Sequence, residues 1–544
     1  MHLAKGKEMT LMDRIVLLLT MGGFLLVLFF AIQFFWFNWA QESVASHLPA
    51  DETVLYLELT DLNLQNRIQD KAAESKKMLA DNLGQIFGVD LSDILSQWGN
   101  DHLALAVIKD EYQRNQPLLF VHAKTKSSAL KYFRSLLLED EKLMASEDEN
   151  PIYGFERGQP FAFRFTNKYV VIAKSAEALK LLPEENGALL ANEENYQTSI
   201  ANLPRSAWMT GYLNLQKLSF SQNVAVSNIV EPLKKAIRHL AFTIQKDQEG
   251  FHFNSFMNLN EDLLSLEKGS SKTKFAYQLA DYIPDQNVAL YFGGANLEAE
   301  WQNTLDSISN LNPAYGIILE GILRAQVSEV FGSQVEPRND LYPLFQGEYA
   351  LAIGNDEGRK AFSLILAHED REFVETKMEK LAGGFKFLAS RFAPKIKVVT
   401  LPDGTESREL VPDEDQIKES NENQKGFDIK CTEVAETGGG LCYSVTDEIL
   451  IITNSKKLIL STINVNQESG SFLSQNPSFR KSLSKLSKIN DEVSFVNFDE
   501  LSALNQSNPY LLALSPILSL MDSGAWVKHY FKDGVSTEGY ILVK

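Results

Sequence analysis

The stretch "LPADETVLYLELTDL" at residues 48–62 returns in altered form as "IPDQNVALYFGGANL" at 283–297. Slid by 235 positions without a gap, the two agree at Pro49/Pro284, Leu55/Leu290, Tyr56/Tyr291 and Leu62/Leu297. More blocks follow in the same order. "LSQWGNDHLALAVIKD" (95–110) meets "LYPLFQGEYALAIGND" (341–356) at an offset of 246, which also lays His122 on His368. "FRFTNKYVVIAKS" (163–175) meets "YSVTDEILIITNS" (443–455) at 280, and Lys246-Asp247 meets Lys532-Asp533 at 286. Ordered blocks whose offsets only grow are the mark of a repeated unit. A chain of 544 residues also exceeds what one core supports, so two similar domains are expected.

Each copy opens on a strand whose start is marked by Pro49 or Pro284, since proline tolerates the first strand position but not the ladder interior. A helical pattern, paired strands with short polar connections, and further helices between hairpins follow. That alternation predicts an α+β fold of antiparallel sheet packed with helices. The first domain is placed at 48–260 and the second at 282–544. Residues 261–281 form the linker, with Gly269-Ser270-Ser271 as its flexible centre. The step from 246 to 280 puts an acidic insertion at about 397–430, read as a partly disordered hairpin or loop around the turn "PDGT".

Ahead of the repeat, no charged residue occurs from Ile15 to Gln41. A run of that length is enough to cross a bilayer core of about 30 Å as a helix, placed here at 15–39. Trp36, Phe37 and Trp39 crowd its far end, where amphipathic rings settle at the headgroup level. Lys5, Lys7 and Arg14 precede it, so residues 1–14 are expected in the cytoplasm and everything after the span outside. The apolar run is longer than the roughly 7–15 residues of a signal peptide, which favours a retained anchor over a cleaved one.

A net charge of −19 excludes nucleic acid as a partner, because phosphates need a basic surface. The two cysteines, Cys431 and Cys442, flank a glycine-rich turn in "KCTEVAETGGGLCYS" and lack metal or redox spacing. A hairpin there fits either a disulfide, which an oxidising compartment permits, or two small buried thiols. The eight histidines form no metal-binding pair. No nucleophile elbow, phosphate-binding loop or dinucleotide fingerprint is present, and "DEDQIKESNE" at 413–422 lacks the spacing and central glycine of a calcium loop. No catalytic, cofactor or metal residue is therefore assigned.

The anchor, the "LPADETVLYLEL" opening and the "WGNDHLALA" strand with Trp98-Gly99, followed by "PLLFVHAKTKSSALKYF", resemble the DUF3352 family of bacterial envelope proteins. The second copy departs from that pattern, with Leu344-Phe345 in place of Trp-Gly. The resemblance implies an extracytoplasmic, anchored, non-enzymatic protein and supplies no catalytic residues. A single-pass scaffold or interaction component is expected, meeting the bilayer through 15–39 and an envelope protein through its domains. The alternative is a carrier or sensor of an apolar, lipid-like ligand, which an aromatic share of 10% with 33 phenylalanines would suit.

Overall fold

The computed structural model describes residues 43–544 apart from 61–83, 85, 138–142, 147–149, 156–160, 184–187, 205–206, 219–233, 235–236, 260–276, 286–287, 312, 357–358, 393, 401–404, 413, 435–439, 468–470, 488–491, 505–517, 519 and 532–533. The expected span at 15–39, its aromatic end and the glycine-serine centre of the linker lie outside the described residues. Among those described, no helix is long and apolar enough to cross a membrane. The chain divides into two compact units, residues 1–260 with 531–537, and 261–530 with 538–544.

In the first unit the strands are β1 (Thr53–Leu59), β2 (Gly99–Lys109), β3 (Asn115–Ala123), β4 (Leu143–Ala145), β5 (Ile152–Phe155), β6 (Ala162–Thr166), β7 (Tyr169–Ala173), β8 (Met209–Asn214), β9 (Ile237–Lys246) and β10 (Gly250–Leu259). Pairing is antiparallel throughout, in the order β4-β5-β6-β7-β3-β2-β1-β8-β9-β10. The mixed fold with antiparallel sheet expected from the sequence is thus present. β1 sits in mid-sheet because its residues are buried on both faces, with only Leu55 part-exposed.

Helices cover both faces. On one face α1 (Leu91–Gln97) leads to Trp98, and α2 (Lys126–Ser135) stacks Phe133 on Phe163 of β6 at 3.8 Å. On the other, α3 (Ala176–Lys180) and α4 (Glu194–Ala201) cover a core of Tyr56, Ala104, Ala106, Phe120, Val171 and Tyr212. Each helix starts on a side-chain acceptor, Asp90, Thr125, Ser175 and Glu193 in turn, which satisfies an otherwise unpaired backbone N–H.

The second unit contains β11 (Val288–Gly294), β12 (Tyr349–Asp356), β13 (Arg359–Ala367), β14 (Pro394–Thr400), β15 (Glu406–Pro412), β16 (Ile417–Gln424), β17 (Phe427–Val434), β18 (Gly440–Val445), β19 (Ile449–Thr453), β20 (Glu492–Asn497) and β21 (Met521–Phe531). Antiparallel pairing runs β16-β17-β18-β19-β13-β12-β11-β20-β21, the same order as β4 to β9 of the first unit. The irregularity in β1 between Thr53 and Leu55 recurs in β11 between Val288 and Leu290. Its helices are α5 (Leu297–Leu311), α6 (Pro313–Phe331), α7 (Arg371–Phe392), α8 (Lys456–Gln467), α9 (Pro477–Ser484) and α10 (Phe498–Leu504). α8 and α9 pack on the face that holds Tyr291, and α6 and α7 on the face that holds Tyr349.

Two expectations need correction. Of the hairpin or loop expected at 397–430 the hairpin is present as the antiparallel β14–β15 ribbon, and the correction concerns the rest of the stretch, which holds all of β16 and the start of β17. β16 and β17 take the places of β4 and β5, so the residues the second unit has in excess are the extension of α7 and the β14–β15 ribbon that precede them. The second correction concerns His122 and His368. Ala104 pairs with Phe120 and Ala350 with Ile365, so the ladder places Ala367 where His122 stands. A one-residue slip moves a side chain to the opposite face, and the two histidines have no common role.

Candidate functional site

The prolines that open each repeat make one backbone bridge apiece, Pro49 with Leu189 and Pro284 with Phe472. Tyr56 and Tyr291 are fully buried at the centres of their sheets. Tyr56 stands edge-on to Tyr196, which meets Tyr212 at 5.2 Å; Tyr291 stands edge-on to Phe479, which meets Phe495 at 5.1 Å. A similar aromatic triad thus occurs in each unit, with Phe479 and Phe495 in the second where the first has Tyr196 and Tyr212.

Around the first triad lies a concentration of buried polar groups that strand alternation builds. Glu58 follows Tyr56 by two residues on β1 and so shares its face. One of its oxygens accepts from the Val44 N–H at 2.9 Å and from His102 Nε2 at 2.8 Å. The other accepts from Ser43 Oγ at 2.8 Å and from the Tyr56 hydroxyl. His102 Nδ1 meets the Tyr169 hydroxyl at 3.2 Å, so a single tautomer satisfies both neighbours. The His122 ring lies parallel to His102, 6.1 Å away, with Asn100 donating to its Nδ1 at 3.4 Å. Burial, ahead of the adjacent His102, holds His122 below the usual histidine range. Burial and then Glu58 push the Tyr56 phenol well above the tyrosine range.

A carboxylate, an imidazole and a phenol in series could relay a proton, as nucleophilic sites do. Here every member is sealed, Glu58 at 5% and Tyr169 at 1% exposure, and no substrate reaches them. The arrangement secures the 3-10 turn at Val44–His47 to the sheet. A second cluster fails for a different reason: Ser487 and Glu538 both approach the same His529 Nε2, so the imidazole is not held between acid and nucleophile.

The second unit solves the same problem differently. Gly293 stands in the place of Glu58 and Glu348 in the place of His102, as the pairings Glu58–Ala104 and Gly293–Ala350 fix. Leu279, the counterpart of Val44, donates its N–H to Glu348 at 3.0 Å. The acceptor carboxylate has moved to the neighbouring strand, and burial raises the Glu348 carboxyl above its ordinary value.

Residues 64–383 match the family described as "Protein of unknown function (DUF3352)", more than half of the chain. The chain belongs to the DUF3352 family. No curated protein sequence matches it. Among solved structures, crystal forms IV, III and I of TP0453 are similar at 10%, 8% and 10% identity. They cover 39%, 44% and 44% of this chain and 81%, 84% and 83% of theirs, with TM-scores of 0.23, 0.23 and 0.22, a likeness too slight to argue from.

In this DUF3352 protein Trp98 is fully buried against Tyr132 and Phe133, and Leu344 fills its place in the second unit. Gly99 follows because a β-carbon there would lie 3.1 Å from Leu95 Cα, pressing β2 off α1. Cys431 and Cys442 form a disulfide between directly paired positions of β17 and β18, Cα to Cα 4.1 Å, inside the core. The carboxylates weighed as a calcium loop fall on and beside β16, with Asp415, Glu419 and Glu422 paired to Lys395, Lys386 and Lys456. A depression along α2 is lined by Lys126, Ser127, Leu130, Lys131 and Arg134. It is open and basic, unlike the enclosed apolar chamber that a lipid carrier needs.

Sequence reading overlooked Glu58 and Tyr169, and set His102 and His239 aside among histidines that form no metal-binding pair. The available signal was a charged residue in the buried phase of "VLYLEL". His239 of β9 accepts from the Tyr212 hydroxyl at Nδ1 over 2.6 Å. Burial, only partly opposed by Glu193 and reinforced by Lys217 and Arg238, pulls its pKa from 6.5 to about 4. The unfolded chain therefore binds a proton that the folded one refuses between about pH 6.5 and 4, and stability drains away as pH falls through that window. Melting temperatures measured from pH 7 to 4 should drop more steeply for the wild type than for His239→Gln; parallel curves would refute the assignment.

Proposed function

We propose that this DUF3352 protein is a single-pass, membrane-anchored, extracytoplasmic scaffold or interaction component of the cell envelope, non-enzymatic, built from two copies of one α+β unit. The observation that carries the reading is the sealed polar core. Buried chemistry in the first unit is consumed in holding Val44–His47 to the sheet, which leaves the outer surfaces to act. Shared strand order, the shared irregularity in the leading strand and the shared aromatic triad support the duplication. Two similar faces on one chain suit multivalent binding. The charge-free run at 15–41 and the Cys431–Cys442 bond support placement outside the membrane.

The experiment places single reporter cysteines in cells whose cytoplasmic membrane is exposed. A cysteine at exposed Asn423 should react with a membrane-impermeant maleimide, one at Lys5 should not, and Cys431 and Cys442 should stay unreactive until reduced. Crosslinking in the same cells should then join the protein to a defined envelope protein. Labelling at Lys5 but not Asn423, or recovery of the chain alone, would count against the reading.

A further inference from the structure

The two units fold alike but carry opposite charge at one end of their sheets. In the first unit the chain leaves β3 through Lys124, and Thr125 caps α2. The β6–β7 turn meets it there, the Ala123 N–H donating to the Lys168 carbonyl at 2.9 Å. In the second unit Asp370 caps α7, and the His368 N–H donates to the Glu448 carbonyl at 2.9 Å. These shared bonds fix the correspondence. Lys124 answers to Glu369, Lys126 to Arg371, Lys131 to Thr376, Arg134 to Glu379 and Lys168 to Glu448. Five cations thus stand where the sister unit has one cation, a threonine and three carboxylates. The same backbone forms with either set, so folding does not require the cations.

All five are exposed, and among the described residues none is ion-paired. Lys126 Nζ lies over the Phe165 ring at 4.9 Å, and Lys126, Lys131 and Arg134 line the open depression along α2. In the second unit, by contrast, Arg371 pairs with Glu375 and Asp447, and Glu379 with Lys430. The carboxylates of the neighbouring α1 are engaged locally, Asp90 by the Asp93 N–H and Asp93 by Gln97 Nε2. On a chain of net charge −19, such a concentration of unpaired cations marks a surface for an anion.

The place where the chain enters the first unit selects that anion. The Val44–His47 turn lies at this same end of the sheet: the Val44 N–H bonds Glu58 near the close of β1, and the His47 ring stands 5.7 Å from that of Tyr169, which follows Lys168. The charge-free run ends at Gln41, two residues before Ser43, a reach of at most about 7 Å. With that run as a membrane span, the cationic end is the end held against the bilayer.

We propose that Lys124, Lys126, Lys131, Arg134 and Lys168 form a docking face that seats the first unit on the phosphate headgroups of the anionic phospholipid leaflet from which its own chain emerges. The inference rests on the anchored reading given above. Anionic headgroups attract lysine and arginine within about a Debye length, roughly 8 Å at physiological ionic strength. They repel a chain that is acidic elsewhere, so the attraction turns this end toward the lipid.

The test is acylation of lysines in the full chain by a water-soluble ester, read residue by residue by mass spectrometry. The chain is held with vesicles of phosphatidylcholine alone or with about 30% phosphatidylglycerol. Labelling of Lys124, Lys126 and Lys168 should slow roughly fivefold on the anionic vesicles and recover in high salt, while Lys418 of β16 stays unchanged. Lys131→Glu with Arg134→Glu should cut the slowing at Lys124 below about twofold, and Lys131→Arg with Arg134→Lys should keep it. A chain that washes off phosphatidylcholine vesicles yet slows on the anionic ones would sink the anchor and leave the docking face standing. Retention on both kinds with equal labelling would overturn the face and leave the anchor; binding to neither would refute both. Equal slowing in both double variants would also overturn the face. So would a crosslink to an acidic envelope protein that Lys131→Glu with Arg134→Glu abolishes without any vesicle effect, which would give these cations to a protein partner.

Discussion

Glu58→Ala should destabilise the first unit by about 3–5 kcal/mol, the range for removing one partner of a buried charged pair. Four donors lose their acceptor at once: the Val44 N–H, Ser43 Oγ, the Tyr56 hydroxyl and His102 Nε2. Each stranded group costs on the order of 1–3 kcal/mol when water cannot reach it, though the four relax together and do not add. Glu58→Gln keeps the shape but brings an amide N–H toward donors, so an intermediate loss is expected. Urea unfolding followed by hydrogen exchange of β1 and β2 would read the effect. A loss under about 1 kcal/mol for the alanine variant would mean that water already satisfies this cluster.

Trp98→Ala should cost a similar amount, about 3–5 kcal/mol, for a different reason. Trp98 closes α1, its N–H donating to the Ile94 carbonyl at 3.0 Å and its carbonyl accepting from Lys124 at 2.9 Å. Its ring fills the space between that turn and Tyr132 and Phe133 of α2. Alanine leaves a cavity bounded by two elements that other contacts pin, so the site collapses poorly. Trp98→Phe should cost far less, because the indole N–H has no partner in this packing and its loss strands nothing. Thermal unfolding of the three proteins orders them. Equal melting of Trp98→Ala and wild type would show that the space refills.

The leading strands of the two units were readable because sheet centres keep their phase. Pro49 and Pro284 do not mark the strand starts, since β1 begins at Thr53 and β11 at Val288 and each proline sits ahead of its strand in an isolated bridge; Tyr56 and Tyr291 are buried because both sides of each strand are packed. The charged cluster was hidden by the same regularity. In "VLYLEL" nothing local separates a Glu58 that faces a filled core from one that faces water; the difference is made by Val44 and by His102, 44 positions away on another strand. His122 fell onto His368 because apolar strands tolerate a one-residue shift in alignment, and only the ladder, Ala350 opposite Ile365, resolves it. The β14–β15 ribbon read as either hairpin or loop because its alternation is of polar residues such as Lys395, Lys397 and Arg408, the pattern of a two-stranded ribbon with little core of its own.

The position of β1 also sets a schedule for synthesis. It is hydrogen-bonded on both sides, to β2 and to β8, yet β8 begins only at Met209. At translation rates of about 5–20 residues per second, one edge of β1 waits roughly 8–30 s for its partner. An unpaired strand of this composition, "TVLYLEL", is a template for wrong pairing throughout that interval. The first unit is therefore rich in non-local pairing, a topology that slows folding.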